Sequence, residues 1–312
     1  MNNTIIHYLF LINILLIISL IPVRSVAQQD SGYTNFGGII YMDSLVVTAS
    51  KTGFNASDFI DMVKDDSSFY QAFENIRLME YESDNNIRFY EKNGEVSAGL
   101  KRKIRQYMDG RCRTMKVLQE EVTGNYYKRN NKSRYYTAKM YERIFFTYER
   151  TCHDPGNTNP SSTMDKRIAE LKVLIFKPGS YVDVPVIGKK TQIFDESLRP
   201  YYNYSITSKK YKSGVDCYVF STKLKENLSK RTQHKTIITN LETYFDKESF
   251  AVIARNYSLF YNGTLVDFDA EINIELTKVG EKYLPELLQF DGVWDIPFNK
   301  EESVQFETKF YY

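Results

Sequence analysis

Reactive side chains meet at only one point of the sequence, Cys152-His153-Asp154. A nucleophile, a base and a group that orients the base must converge in space, whereas adjacent side chains point apart. Another histidine, His234, lies in a polar stretch before an apolar run. The scattered histidines and cysteines also lack the spacing of a zinc site. The sequence therefore predicts no catalytic residue, no metal site and no cofactor, and a hydrolase that uses His153 or His234 is the least supported alternative.

Carboxylates recur at alternate positions in the segment 266–277, at Asp267, Asp269, Glu271 and Glu275. Oxygen ligands at such spacing could bind Ca²⁺ if a loop closed over them. The alternative is a solvated face of a strand, and the sequence favours that alternative.

The chain contains three cysteines, Cys112, Cys152 and Cys217. An odd number leaves at least one thiol without a partner inside the chain. Cys112 with Cys152 is a candidate disulfide. The alternative, in which all three are reduced and buried small apolar side chains, stays open because spacing alone does not decide between them.

The element that positions the carboxylates is the segment 266–277 itself, in which apolar and polar residues alternate without a break. Its apolar members are Val266, Phe268, Ala270, Ile272, Ile274 and Leu276. A period of two predicts a strand with one buried and one solvated face. A single strand is not stable alone, so the rest of the chain must provide a sheet and a cover for its apolar side.

Turn dipeptides punctuate the other β-rich segments, at Asn93-Gly94, Asp109-Gly110, Asn262-Gly263 and Gly280-Glu281. Strands are expected at 87–90, 100–108, 113–122, 134–148, 217–222, 236–245, 252–261, 283–290 and 304–312. Because short connections join antiparallel neighbours, these segments predict an antiparallel meander.

Helical patterns occur near 57–77 and 163–177. In the first region, Ser68 and Gln71 form a capping-box pattern. In the second, the apolar stripe Met164, Ile168, Leu171 and Ile175 ends before Pro178-Gly179. The sequence thus predicts an α+β fold, in which a few amphipathic helices cover a mostly antiparallel sheet within one domain, 55–312.

The first 27 residues are predicted to be a signal peptide, with an apolar run at 8–21 and small residues at Ser25 and Ala27. We therefore expect an exported protein, periplasmic or associated with the outer membrane. The following segment, 28–54, is expected to be extended. Within it, Asp43–Ala49 resembles the TonB box of outer-membrane receptors, which adds a strand to a partner's sheet. An ordinary edge strand is the alternative.

Positive charge is concentrated in residues 101–150, with 14 Lys and Arg against 5 Asp and Glu, although the whole chain carries only +2. Basic and aromatic residues together can bind single-stranded nucleic acid, but an exported chain rarely meets one, so no nucleic-acid partner is expected. Anionic lipid headgroups or lipopolysaccharide fit that compartment better. A solvated basic face is the alternative.

The C-terminal segment Cys217–Leu276 is similar to the half-barrel of the LolA/LolB lipoprotein carriers. The similarity consists of a strand, the turn Asp246–Ser249 and a long amphipathic strand that follows. The wider chain resembles exported proteins of the Bacteroidota. The resemblance implies a sheet curved into an open half-barrel, whose concave apolar face holds acyl chains. It also implies that Phe268, Ile272 and Ile274 face this ligand groove.

The function expected from these observations is a non-enzymatic envelope protein that binds a lipid, a lipoprotein acyl chain or another hydrophobic ligand. One alternative is a small outer-membrane β-barrel, because the last strand alternates and ends in aromatic residues, Phe310 and Tyr312. Another is a structural or adaptor protein of the envelope, with an outer-membrane component as its partner and no small ligand. The sequence predicts no oligomeric state.

Overall fold

Eleven strands dominate the computed structural model, which describes residues 56–152, 163–184, 187–211, 214–263, 267–295 and 300–312. Within these ranges the strands form one antiparallel sheet. Their bounds are β1 Tyr81–Tyr90, β2 Val96–Asp109, β3 Cys112–Gly124, β4 Thr151–Cys152, β5 Tyr202–Lys210, β6 Asp216–Leu224, β7 Ile238–Asp246, β8 Val252–Asn262, β9 Asp267–Val279, β10 Lys282–Asp295 and β11 Glu302–Tyr311. The predicted signal peptide and the 28–54 segment lie outside the described residues.

The strand order is β4-β3-β2-β1-β11-β10-β9-β8-β7-β6-β5. Strands that are neighbours in the sheet are also consecutive in the chain, with the exception of β1 and β11. These two strands pair with each other, Glu82 with Tyr311 and Tyr90 with Ser303. The sheet therefore consists of two meanders joined by the pairing of β1 with β11. The sheet is curved, and β4 and β5 form its two edges. It is open because these two strands do not pair with each other. The prediction of an α+β fold with a mostly antiparallel, unclosed sheet is confirmed.

β9 lies between β8 and β10 and alternates as the sequence predicts. Phe268, Ile272 and Ile274 are 8%, 3% and 0% exposed, whereas Asp269 and Glu271 are exposed. Because successive side chains of a strand point to opposite faces, β9 separates the two sides of the sheet. We call the side that carries Phe268, Ile272 and Ile274 the inner face and the opposite side the outer face.

Two of the predicted tight turns, at Asp109-Gly110 and Gly280-Glu281, connect strands where their glycines stand, whereas the predicted turn at Asn262-Gly263 continues into residues 264–266, which lie outside the described residues. Gly110 joins β2 to β3 with a φ of 60°, and Gly280 joins β9 to β10 with a φ of 59°. Residues other than glycine rarely adopt this left-handed conformation, so the two dipeptides fix the positions of these hairpins.

Five α-helices accompany the sheet in the described ranges: α1 Ala56–Asp65, α2 Ser68–Asn75, α3 Tyr136–Phe145, α4 Thr163–Phe176 and the one-turn α5 Lys230–Gln233. Three short 3-10 helices lie at Ile76–Leu78, Gly188–Thr191 and Arg199–Tyr201. Phe69 and Phe73 of α2 are buried in the core. The ring of Phe73 stacks on that of Phe176 in α4, with 3.5 Å between the ring centroids. α1, α2 and α4 thus lie in the two regions where the sequence indicates helices.

α2 begins differently from the capping-box pattern at Ser68 and Gln71. The residue before the helix, Ser67, makes no side-chain capping hydrogen bond. Instead, Asp66 Oδ1 accepts hydrogen bonds from the backbone N–H of Ser68 at 3.0 Å and from its hydroxyl at 2.5 Å. A carboxylate at the start of a helix also interacts favourably with the helix dipole.

The strand predicted at 134–148 is wrong, because Tyr136–Phe145 forms α3. The aromatic residues of this segment favour strands in general. However, Thr137, Ala138 and Tyr141 have the spacing of one helical face, and all three are buried. Tertiary packing of that face has therefore overridden the local preference.

A buried polar network holds α3 against the sheet. The hydroxyl of Tyr141 donates to Asn85 Oδ1 at 2.5 Å and lies in hydrogen-bonding contact with the hydroxyl of Thr308. Asn85 Nδ2 in turn donates to the backbone carbonyl of Arg102 at 3.1 Å. Burial raises the pKa of Tyr141, so its hydroxyl stays protonated at neutral pH. The network thus connects α3 with β1, β2 and β11.

Tyr141→Phe is expected to lower the free energy of unfolding by about 1–3 kcal/mol, because Asn85 Oδ1 loses its donor in a buried site. Urea denaturation measures this change. Tyr136→Phe is the matched control on the same helix and is expected to stay within about 0.5 kcal/mol of the wild type. Equal effects of the two substitutions would contradict a role for the Tyr141 hydroxyl.

A buried ion pair connects the α1–α2 junction with β8. Arg255 Nη2 lies 2.7 Å from Asp66 Oδ2, and the side chains are 1% and 12% exposed. The guanidinium also lies over the ring of Phe69, 4.8 Å from its centroid. Burial lowers the pKa of Arg255, and the carboxylate of Asp66 opposes this effect. Asp66 therefore both caps α2 and neutralises Arg255.

A disulfide joins Cys112 to Cys152, the pair singled out in the sequence. The two residues face each other in the pairing of β3 with β4. Their sequence separation is 40, and α3 lies in the closed loop. Cys217 is buried and forms no disulfide. The bond thus attaches the short edge strand β4, at the end of the segment that contains α3, to the rest of the sheet.

Candidate functional site

The three residues expected to contact an acyl chain lie in the hydrophobic core. Phe268, Ile272 and Ile274 belong to the main cluster of buried apolar side chains on the inner face. Since each is at most 8% exposed, a ligand could reach them only if the elements that cover them moved. Their role in ligand binding stays a prediction.

A narrow opening, which we call the basic crevice, lies among α2, α3, α4 and the strands β1–β3. It is lined by Phe73, Glu74, Ile76, Arg77, Tyr81, Gln106, Arg113, Met115, Ile144, Phe145, Thr147, Lys172 and Phe176. Its volume is about 30 Å³. Pockets that enclose small ligands measure about 300–1,000 Å³, so the crevice in this closed arrangement admits little more than water.

Positive charge surrounds the apolar part of the basic crevice. Arg113 is half-buried, and its Nε–H has no hydrogen-bond partner. Burial lowers the pKa of Arg113, and the like charge of Arg77 lowers it further. Arg77 is paired with Glu74 at 3.1 Å, but no ion pair among the described residues includes Arg113 or Lys172. An anion at this position would therefore interact with cations whose charge is not balanced by the protein.

A wider depression, which we call the polar groove, crosses the outer face and measures about 660 Å³. Two rows of outward side chains line it, each with one residue from β1, β11, β10, β9, β8 and β7 in that order. The first row is Asn86, Glu307, Gln289, Asn273, Asn256 and Glu242. The second row is Arg88, Gln305, Asp291, Glu271, Ser258 and Asn240. Four carboxylates and one guanidinium give the rows a net charge of −3.

Glu307 is the carboxylate of the polar groove whose pKa is shifted. Burial raises its pKa, but hydrogen bonds from Gln289 and Lys309 and the charge of Lys309 outweigh burial, so the net pKa is lowered. The ammonium of Lys309 lies 3.1 Å from Glu307 Oε1. Because the folded pKa is depressed, the stabilising effect of this carboxylate is present at neutral pH and is lost as the pH falls through the folded pKa.

The other reactive residues predicted from the sequence do not converge. Cys152 is held in the disulfide, whereas His153 and Asp154 lie outside the described residues. His234 is exposed at the end of α5. Of the carboxylates on β9, Glu271 lines the polar groove, and Asp267 Oδ1 accepts a hydrogen bond from the backbone of Gly263 at 2.7 Å. Within the described ranges, no group of three or more His, Cys, Asp or Glu could hold a metal ion.

The basic segment 101–150 is divided between two environments. Arg102 is 6% exposed at its side chain and pairs with Glu120, and Tyr127 and Tyr148 accept its other hydrogen bonds. Arg113 lines the basic crevice instead. Composition indicated a positive region, but it did not distinguish the neutralised Arg102 from the unpaired Arg113. A signal for Arg113 was available in its position two residues before Met115, since both then lie on one face of a strand.

No family model and no curated protein matches this chain. Among the described residues, no helix has both the length and the apolar character needed to span a membrane.

Solved structures with low sequence identity align along most of the chain. A DUF1329 family protein from Desulfovibrio piger has 10% identity and a TM-score of 0.24, and the alignment covers 82% of this chain and 88% of that chain. A domain described as an outer membrane lipoprotein-sorting protein from Vibrio parahaemolyticus has 6% identity and a TM-score of 0.26, with 81% and 88% covered. A LolA superfamily protein from Nitrosomonas europaea has 7% identity and a TM-score of 0.21, with 79% and 93% covered. Because these TM-scores do not establish a common fold, the side chains of this chain alone carry the functional inference.

Proposed function

We propose that this chain is an exported envelope protein that binds an amphiphile with an anionic head, such as a fatty acid or the acyl chain of an anionic lipid. The apolar chain lies between the inner face and the helices α2 and α4. The anionic head lies at the rim of the basic crevice. Phe268, Ile272 and Ile274 form a deeper part of the same apolar surface.

The observation that carries this proposal is the unpaired Arg113 in the partly apolar lining of the basic crevice. A half-buried guanidinium with an unsatisfied N–H is costly unless an acceptor reaches it. Phe73, Phe176 and Met115 line the same crevice and supply apolar surface. Charge beside apolar surface is the arrangement that matches a molecule with one charged end and one hydrocarbon end.

The small volume of the basic crevice means that binding must separate α2 from α4. Separation exposes the stacked rings of Phe73 and Phe176. Exposure costs about 1.5–3 kcal/mol for each ring, and the lost ring stacking costs about 0.5–1.5 kcal/mol more. Burying ten methylene groups of a ligand contributes about 8 kcal/mol. An acyl chain of ordinary length can therefore offset the opening of the crevice, whereas a short organic anion cannot.

Arg113→Ala is expected to weaken the binding of palmitate by about tenfold or more, because a hydrogen bond to a charged group is worth about 1.5–3 kcal/mol. Binding of hexadecanol, which has the same chain length and no charge, is expected to change little. Competition with a fluorescent fatty acid measures both affinities on the mature protein.

Lys116→Ala is the matched control, because Lys116 is an exposed cation on the same strand and lies outside the basic crevice. It should leave both affinities unchanged. If the wild type bound neither palmitate nor hexadecanol, the proposal would fail, and a structural or adaptor role without a small ligand would take its place. If Lys116→Ala and Arg113→Ala weakened palmitate binding equally, the positive charge of the surface in general, and not Arg113, would attract the carboxylate of palmitate.

A further inference from the structure

Hydrogen bonds between side chains of neighbouring strands hold several residues of the polar groove in place. Asn273 Nδ2 donates to Gln289 Oε1 at 2.9 Å, and Gln289 Nε2 donates to Glu307 Oε2 at 2.7 Å. In the second row, Gln305 Nε2 donates to Asp291 Oδ2 at 2.7 Å. These bonds run across the strands and fix the side-chain rotamers. A ligand that binds here loses little affinity to the ordering of the protein.

Three amide oxygens of the first row are left without a donor. Asn86 Oδ1, Asn256 Oδ1 and Asn273 Oδ1 are buried and make no hydrogen bond. All three residues line the polar groove. Since buried polar atoms are nearly always hydrogen-bonded in native proteins, these three amides are the members of the first row whose hydrogen bonds are incomplete.

The chemistry of the groove favours a neutral ligand that carries both donors and acceptors. The net charge of −3 disfavours an anion. A cation would seek carboxylates, but Glu307, Asp291 and Glu242 already accept hydrogen bonds from protein side chains. The amide side chains of the rows are neutral and offer both N–H donors and carbonyl acceptors, which suit hydroxyl groups. Amide and carboxylate groups in register can accept from and donate to neighbouring hydroxyl groups of one ligand.

Apolar side chains lie beside the second row. Phe260 and Val293 are 49% and 42% exposed. Both residues face Asp269 of β9 across the sheet, Phe260 from β8 and Val293 from β10. Their positions are two residues from Ser258 and Asp291, on the same outer face. An exposed aromatic ring beside rows of polar groups suits a ligand with polar edges and an apolar face, as a sugar ring has.

We propose that the polar groove binds an oligosaccharide. Its hydroxyl groups exchange hydrogen bonds with the amide and carboxylate side chains of the two rows, and one sugar ring packs on Phe260. The groove lies on the outer face, opposite the inner face that the proposed amphiphile would occupy. The two proposals therefore rest on different residues and can fail separately.

Isothermal titration calorimetry with maltohexaose, cellohexaose and hexa-N-acetylchitohexaose at millimolar concentrations tests the proposal on the mature protein. The wild type is expected to bind at least one of these probes. Asn273→Ala combined with Gln289→Ala should weaken that binding by about tenfold or more, because it removes the centre of the first row. Phe260→Ala should weaken it by about threefold or more while removing only an exposed ring. Circular dichroism verifies that each variant is folded.

Thr277→Ala is the matched control, since Thr277 is on the same face of β9 but outside the groove. It should bind like the wild type, and so should Arg113→Ala, whatever the fate of palmitate binding. If the wild type bound none of the three probes, the proposal would be overturned. Unchanged binding by Phe260→Ala and the double variant would also overturn it. If Asn273→Ala/Gln289→Ala did not fold, Phe260→Ala would decide between these outcomes.

Discussion

Replacing Asp66 by alanine is expected to lower the free energy of unfolding by about 3–5 kcal/mol, which is the usual effect of breaking a buried ion pair. The substitution leaves Arg255, at 1% exposure, as a buried charge without a counter-ion. It also removes the acceptor for the N–H of Ser68 at the start of α2. Because proteins are stable by only about 5–15 kcal/mol, we expect a large fall in the midpoint of urea unfolding.

Asp65→Ala is the control for this experiment, since Asp65 is the adjacent acidic residue and is exposed. We expect it to change the free energy of unfolding by less than about 0.5 kcal/mol. Adding Arg255→Met to Asp66→Ala should restore most of the loss, because an apolar side chain of similar length then replaces the unpaired charge. If the double variant were no more stable than Asp66→Ala, the buried charge would not be the cause.

Removing the disulfide with Cys112→Ala and Cys152→Ala is expected to lower the free energy of unfolding by about 4 kcal/mol. The estimate follows from the entropy of closing a loop in the unfolded chain, for a sequence separation of 40. Since the closed loop contains α3, we also expect the backbone amides of α3 to become less protected from hydrogen exchange. Urea unfolding and amide exchange measure the two effects.

Reductant provides the control for the disulfide variant. The wild type in the presence of a phosphine reductant should lose stability to a similar extent, whereas the double variant should not respond. Cys217, which is buried without a disulfide, should keep the same environment in both proteins. If the reductant did not affect the unfolding midpoint of the wild type, the disulfide would contribute nothing to stability.

Much of the fold could be predicted because its signals are local. The alternation along β9 and the glycine turns at Gly110 and Gly280 each involve residues that are close in sequence. The pairing of β1 with β11 has no such signal, because it joins the first strand of the described sheet to the last. The helix α3 was missed since composition favours a strand there, and only its contacts with distant strands reveal which face is buried.

The candidate sites were harder to predict than the fold, because each one collects single residues from many strands. β9 contributes only Glu271 and Asn273 to the rows of the polar groove, and on its own it reads as a solvated acidic face. The two rows can be recognised only when the register of six strands is known. Similarly, Arg113 becomes distinctive only when α2 and α4 enclose it. The sequence did indicate the apolar inner face, because a period of two is visible in one strand alone.

The strand order has a consequence for how the chain matures. Tyr90 in β1 and Gln305 in β11 are hydrogen-bonded partners 215 residues apart. At a synthesis rate of about 5–20 residues per second, β11 is made on the order of 10–40 s after β1, and until then β1 can pair only with β2. During that interval, an edge that is central in the finished sheet stays open to other strands, which is the situation that promotes mispairing and calls for a chaperone. The timing of maturation is therefore set by β11, the last strand of the described sheet to be made.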